Sequence, residues 1–237
     1  MEAVHREEPR VLREEIVAAG HPPAREPGAH TRGGATRRRL RRLPRRSPVT
    51  EQTLPSREQA LALIHEWIAN PNLRKHCYAV EAAMRRYARE LGGDEERWGL
   101  TGLVHDFDWE RHPDAERHPV QGVAFLRQNG WPEDILRAVL GHASYTGVPR
   151  DTPMARALFA VDELCGLLVA CALVTPEKSL DQVEVASVRK KMKRADFARN
   201  VNREDIVNGA AELGVDLDAH IAATLEALRG IKGELGL

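Results

Sequence analysis

The chain has 237 residues, of which 42% are hydrophobic and 30% charged, enough for one large domain or two small ones with a packed core. Aromatic residues make up only 5%, which argues against an aromatic surface for stacking nucleic-acid bases. No apolar run approaches the roughly 20 residues that span a bilayer, and no stretch of signal-peptide type opens the sequence. We therefore expect a cytoplasmic protein with no membrane partner.

The formal net charge of +0 conceals an asymmetry between the two ends of the chain. Residues 1–50 contain 12 Arg and 6 Glu, which leaves 23 Lys and Arg against 29 Asp and Glu in the remainder. Residues 32–46 hold 8 Arg and no acid, with little apolar content, a composition typical of disorder. We expect residues 1–52 to be a disordered Arg-rich extension. We expect no nucleic-acid partner except through this extension, and we favour an extension without function over a basic arm that binds nucleic acid or an anionic surface.

Helical periodicity interrupted by Gly, Pro, Asn and Asp predicts a series of helices joined by short loops. The first begins at Ser56, where Ser56 and Gln59 fit a capping box, and ends at Asn70-Pro71. Further helices are predicted over residues 73–91, 94–105, 119–128, 133–142, 154–174, 203–213 and 218–228, the last two capped by Asn202 and Asp218. Residues 144–153 are predicted to form a loop and 178–193 a basic, partly amphipathic region.

No alternating strand pattern and no internal repeat stand out in the sequence, so the predicted fold class is all-α, a bundle of about eight helices. We expect residues 53–237 to form one helical domain, with a core at about 57–175 and C-terminal helices over 176–237. The three cysteines are odd in number and lack zinc-ribbon spacing, so Cys77, Cys165 and Cys171 are predicted to be reduced core residues.

The dipeptide His105-Asp106 follows the apolar pair Leu103-Val104 and is the strongest chemical signal in the chain. Burying two ionisable side chains is costly unless they have a partner, and a metal ion is the usual one. More side chains of this kind lie on other predicted helices or helix ends: His76, His118, His142 and Asp162. In a helical bundle, metal sites are built from side chains that project inward from facing helices.

His76 shares a helix face with Val80 and Ala83, and Asp162 lies in the middle of the most apolar predicted helix. Two imidazoles and two carboxylates suit a divalent transition metal with open positions better than a closed thiolate zinc site. Taken singly, His76 or His142 is more often a core or capping histidine, and Asp162 could pair with Arg156. The other six histidines are expected in the tail or on the surface: His5, His21, His30, His65, His112 and His220.

The order His76, His105-Asp106, Asp162 resembles the H…HD…D signature of the HD superfamily of metal-dependent phosphohydrolases, over roughly residues 57–175. The segment His118-Pro119-Val120-Gln121-Gly122 is similar to the His-Pro-x-x-Gly element of the subgroups that hold two metals. The resemblance implies an HD-domain-like bundle with the metal site between helices. It implies a first metal held by His76, His105, Asp106 and Asp162, and a second held by His118 and His142, with Asp106 as a bridge.

Two departures bear on the substrate. The cyclic-dinucleotide subgroup has paired histidines where this chain has His142-Ala143, and its Gly-Tyr-Pro signature is absent. Both differences argue against a cyclic dinucleotide as the substrate. The stretch from Ser187 to Glu204 is similar instead to a subfamily of uncharacterised bacterial HD-domain hydrolases.

The resemblance implies hydrolysis of a nucleotide or related small phosphate ester by metal-activated water, with one or two divalent ions among Mn, Fe, Mg, Co, Ni and Zn. His105 and Asp106 are the predicted catalytic residues. Asp108 and Glu163 are candidate general acids or bases, and a solvated or salt-bridged acid is the alternative for each.

Lys190, Lys193 and Arg203 are candidates for binding the phosphate, although a Lys/Arg run is usually a solvated helix face. Two other functions stay open. One is an HD-fold oxygenase with a di-iron centre on the same six ligands. The other is a non-catalytic signalling module with a structural metal.

Overall fold

The computed structural model describes residues 54–237, so the predicted Arg-rich extension lies outside the described residues. Ten α-helices and no strands are found in this part of the chain. In chain order they are α1 (Arg57–Trp67), α2 (Pro71–Leu91), α3 (Glu95–Val104), α4 (Val120–Gln128), α5 (Glu133–His142), α6 (Pro153–Leu173), α7 (Val185–Met192), α8 (Arg203–Leu213), α9 (Leu217–Gly230) and α10 (Lys232–Leu235). The all-α prediction is confirmed, with two more helices than expected.

Helix α6 is the central element of the bundle. It packs against α2, α5, α8 and α9, and α2 packs in addition against α3. Because α6 is surrounded, its apolar residues cover every face rather than one stripe, which is why it reads as a continuous apolar run in the sequence. Among residues 54–237, no helix combines the length and the apolar character needed to cross a membrane.

Side-chain caps define most helix starts. The Ser56–Gln59 capping box is present at the start of α1, and the Asn202 side chain accepts the Glu204 amide at the start of α8. Two predicted boundaries are wrong. Asn70 caps α2 with Pro71 in its first turn, so α2 begins two residues early. Asp216, rather than Asp218, caps α9 by accepting two amides of its first turn.

His220 was expected at the surface, and the structure corrects this: the residue is 0% exposed. Its Nδ1 accepts the Tyr87 hydroxyl at 2.5 Å, and its Nε2–H donates to the carbonyl oxygen of Ala160 at 2.8 Å. Burial lowers the pKa of His220, consistent with a neutral ring that uses one nitrogen as acceptor and the other as donor. These bonds join α2, α6 and α9 in the interior.

Close backbone contact joins α6 to α8. A Cβ built on Gly209 of α8 would lie 2.5 Å from the Cα of Ala160. Glycine at position 209 therefore lets α8 approach the middle of α6, two residues before Asp162. The three cysteines are buried and unoxidised, as predicted.

Candidate metal centre

The structure brings together six side chains that the sequence singled out. His76 lies on α2, His105 and Asp106 follow the last residue of α3, and His142 ends α5; His118 lies before α4, and Asp162 in the middle of α6. All six are buried, with exposed fractions between 0% and 6%. They form two groups that share Asp106: His76, His105, Asp106 and Asp162, and Asp106, His118 and His142.

The first group is arranged around the two ring Nε2 atoms of His76 and His105, which are 3.2 Å apart. Asp162 Oδ1 lies 3.0 Å from the former and 3.3 Å from the latter. Asp106 Oδ2 completes the group at 3.8 Å from His76 and 3.5 Å from His105. Two imidazole nitrogens and two carboxylate oxygens therefore converge on one point.

The second group uses the other oxygen of the shared carboxylate. Asp106 Oδ1 is 3.3 Å from the Nε2 of His118 and 3.3 Å from the Nε2 of His142. These two nitrogens are 3.4 Å from each other. Asp106 thus points one oxygen at each pair of histidines, which is the arrangement a bridging carboxylate requires.

The tautomers of three histidines suit metal binding. The Nδ1–H of His105 donates to the Gly102 carbonyl at 2.7 Å, and that of His142 donates to the Val139 carbonyl. The Nδ1 of His118 is 2.8 Å from Asp108 Oδ1. Because these acceptors fix a proton on Nδ1, the Nε2 of each ring in its neutral form directs a lone pair at the centre. Converging lone pairs and carboxylate oxygens fit a cation better than an empty space.

The electrostatics of the cluster lead to the same conclusion. Burial opposes the protonation of His105, but the charges of Asp106 and Asp162 outweigh it and raise the pKa of His105 to about 9. Burial likewise opposes protonation of His118, and hydrogen bonds to Asp106 and Asp108 raise its pKa to about 9. Despite burial, His105 and the neighbouring histidines hold the pKa values of Asp106 and Asp162 well below the usual range. The buried carboxylates require positive charge, from protons or from a metal.

The predicted general acid or base Asp108 lies behind the cluster. It is 0% exposed, and its two oxygens accept the His118 ring N–H and the Gly122 amide, the latter at 2.9 Å. This position suits holding His118 in place better than exchanging a proton with a substrate. The other candidate, Glu163, accepts the Asn202 amide at 3.0 Å, and burial followed by the charge of Asp162 raises its pKa to about 9.

The predicted phosphate-binding residues differ in exposure and in their contacts. Lys190 and Lys193 are exposed, at the end of α7. Arg203 is half-buried and donates to the carbonyls of Phe197, Ala198 and Val201, so its guanidinium closes the loop before α8. A phosphate-binding role for these residues stays a prediction.

Several residues that position the site were not recognised in the sequence. Glu110 accepts the amides of Ala69 and Asn70 ahead of α2, and Arg111 lies 4.0 Å over the ring of Trp67. The ring of Trp109 meets that of His118 edge-on, with centroids 4.9 Å apart. Three successive residues, Trp109, Glu110 and Arg111, therefore hold the turn that follows His105-Asp106 in place. No sequence signal reveals these contacts, because each partner is distant along the chain.

Near the second group, the Tyr145 hydroxyl donates to the backbone carbonyl of His118 at 3.2 Å. Burial, followed by the charges of Asp106, Asp108 and Asp162, raises the pKa of Tyr145. Tyr145 was not among the site residues predicted from the sequence. The structure places it beside the cluster.

Comparisons with known proteins agree with this site. Residues 73–167 match the family model described as HD domain. Among curated proteins, Ribonuclease Y of Oleidesulfovibrio alaskensis is 32% identical over 96 residues, which cover 40% of this chain and 18% of that protein. The chain thus matches less than a fifth of the length of this relative. No solved structure matches the chain.

The matched segment includes the cluster residues from His76 to Asp162 and ends inside α6. The all-helical fold and the His/Asp cluster between helices agree with the match of residues 73–167 to the HD domain. The HD domain is typical of a superfamily of metal-dependent phosphohydrolases.

Proposed function

We propose that the protein is a metal-dependent phosphohydrolase that acts on a nucleotide or a related small phosphate ester. The single observation that carries the proposal is the position of Asp106, whose Oδ2 faces His76 and His105 while its Oδ1 faces His118 and His142. A carboxylate shared in this way suits a pair of divalent metals, for which six buried side chains provide the ligands.

Divalent metals bound there would supply a nucleophile from water at neutral pH and polarise a phosphoryl oxygen. The protein's own part is to hold the ligands in one protonation state and one orientation. The Gly102 and Val139 carbonyls fix the rings of His105 and His142, and α6 places Asp162 against His76. Burial of the carboxylates keeps bulk water from screening their charge, which strengthens their interaction with a cation.

The test is hydrolysis by the full chain, loaded with Mn²⁺, of p-nitrophenyl phosphate, bis(p-nitrophenyl) phosphate, nucleoside phosphates and a short RNA. The RNA is included because the similar segment of Ribonuclease Y belongs to a protein named as a nuclease. We expect metal-stimulated release of product from at least one of them. The panel separates monoester from diester hydrolysis.

The matched variants are Asp106→Asn and Glu116→Gln. The first removes charge from the shared ligand and is expected to lower activity more than about 100-fold with helicity retained. The second neutralises an exposed acid two residues from His118 and should leave activity unchanged. Full activity in Asp106→Asn would refute the site, and a metal-loaded wild type that hydrolyses none of the esters would refute the function.

Elemental analysis of the purified protein separates this proposal from the oxygenase alternative. Bound manganese, magnesium or zinc with no oxygen uptake supports hydrolysis. Iron at two per chain together with substrate-dependent oxygen uptake would support the di-iron oxygenase instead.

A further inference from the structure

The two halves of the cluster are built differently. In the first, the four ligands come from α2, from the end of α3 and from α6. The second has three ligands, and one of them, His118, lies late in the connection between α3 and α4, whereas His105 and Asp106 directly continue α3. A helix fixes the direction of a side chain, whereas a loop residue depends on the contacts around it.

On the side away from the cluster, the His118 ring contacts Asp108. Asp108 Oδ1 is 2.8 Å from His118 Nδ1, while Oδ2 accepts the Gly122 amide from the first turn of α4. The carboxylate fits because position 122 is glycine: a Cβ there would lie 2.5 Å from Asp108 Cγ. Asp108 therefore joins the turn after His105-Asp106 to both ends of the His118–Gly122 segment.

We propose that Asp108 is a positioning residue for the second metal position: it holds His118 so that its Nε2 faces Asp106 Oδ1. This inference rests on the proposed metal-dependent function. It goes further by making the second metal position dependent on Asp108, while the first position, whose ligand set does not include His118, should not depend on it.

The substitution Asp108→Asn isolates this role because it keeps the size of the side chain. Both carboxylate oxygens are acceptors, and an amide offers only one. Either the Gly122 amide loses its acceptor, or the amide NH₂ faces His118. In the second case the NH₂ favours a proton on His118 Nε2, the tautomer that cannot bind a metal.

The experiment titrates the metal-free full chain with Mn²⁺ by calorimetry and follows it by electron paramagnetic resonance, in which a coupled pair of manganese ions differs from a single one. Wild type is expected to bind two ions per chain. Asp108→Asn should weaken the second ion about 10- to 100-fold, leave the first within about threefold, and replace the coupled signal by that of single ions.

Three variants serve as comparisons. Glu116→Gln should behave as wild type, and Asp162→Asn should weaken chiefly the first position. Gly122→Ala, which displaces the Asp108 carboxylate without removing it, should reproduce the selective loss and covers the case in which Asp108→Asn does not fold.

Equal weakening of both positions in both variants, an unchanged second position, or a wild type that binds one ion or none would overturn the proposal. If wild type binds two ions and the variants show the selective loss, but wild type hydrolyses no phosphate ester, the role of Asp108 is supported and the proposed function is refuted.

Discussion

The contact between α6 and α8 gives a prediction about how packing supports the metal centre. Gly209 of α8 faces Ala160 of α6, and a Cβ added there would lie 2.5 Å from the Ala160 Cα, 3.1 Å from its Cβ and 3.2 Å from its N. Carbon atoms in favourable contact are about 3.5–4.0 Å apart. The substitution Gly209→Ala therefore requires the two helices to separate by about 1 Å, since the opposing atoms are backbone.

Overpacking of this kind costs about 1–3 kcal/mol. Alanine recovers up to about 1 kcal/mol because it favours the helix more than glycine does. We expect the free energy of unfolding to fall by about 1–2 kcal/mol, which lowers the melting temperature by about 2–4 °C per kcal/mol in a domain of this size. Movement of α6 also displaces Asp162, two residues from the contact, so affinity for Mn²⁺ at the first position should weaken.

Urea unfolding and Mn²⁺ titration of Gly209→Ala measure both effects. The control is Gly230→Ala at the end of α9, where no atom lies within 4 Å of the added Cβ, so the change should be neutral or slightly stabilising. If Gly209→Ala were as stable as the control and bound metal like wild type, the steric argument would be refuted.

Two further predictions concern buried histidines. In the metal-free protein, His105 and His118 have pKa values of about 9, above the value of about 6.5 in an unfolded chain. Their contribution to stability is therefore complete below pH 6.5 and is lost as the pH rises toward 9. Urea unfolding should show this loss, by at least about 1 kcal/mol per pH unit, and metal loading should abolish it because metal binding requires the deprotonated rings; a flat metal-free profile would contradict the assignment. Separately, Tyr87→Phe leaves the buried Nδ1 of His220 without its donor and should cost about 1–3 kcal/mol. The same change at Tyr78, whose hydrogen bond to a histidine is exposed, should cost less, and equal losses would contradict a buried role for the His220 bond.

Local signals were sufficient for most of the helices. Ser56 and Asn202 cap the helices they were predicted to cap, and the long apolar run became α6. The signals failed where one motif has two meanings. Asn70-Pro71 was interpreted as a helix end, yet asparagine is an N-cap and proline favours the first turn, so the pair begins α2.

Tertiary contacts explain the other features of the fold that the sequence analysis predicted wrongly or did not predict. His220 lies on an otherwise ordinary amphipathic helix, and its burial depends on Tyr87 and Ala160, which are more than 50 residues away in sequence. Gly209 similarly has no local reason to be glycine. Its role depends on the approach of α6, which no periodicity within α8 reveals.

The candidate metal ligands were easier to predict from the sequence than the residues that hold them in position. Histidine and aspartate residues within apolar runs indicated a metal site. The resemblance to the HD superfamily indicated which of them share each metal position. Asp108, by contrast, was interpreted as an acid or base from its proximity to Asp106 in sequence. Its side chain points the other way, toward His118 and Gly122, because the chain turns after α3.

The unequal construction of the two halves follows from charge as well as from geometry. In the first group, carboxylate oxygens of both Asp106 and Asp162 face the pair of histidines, whereas the second group of potential ligands contains one carboxylate, whose Oδ1 lies 3.3 Å from each histidine. A cation bound at the second position would therefore gain less direct attraction, and the charge of Asp108, which contacts the ring of His118, would partly compensate for this. Since Asp106 serves both halves, a change at Asp106 affects both positions, while a change at Asp162 or Asp108 affects chiefly one. Comparing these three carboxylates in one metal titration therefore separates the shared ligand from the supports of each half.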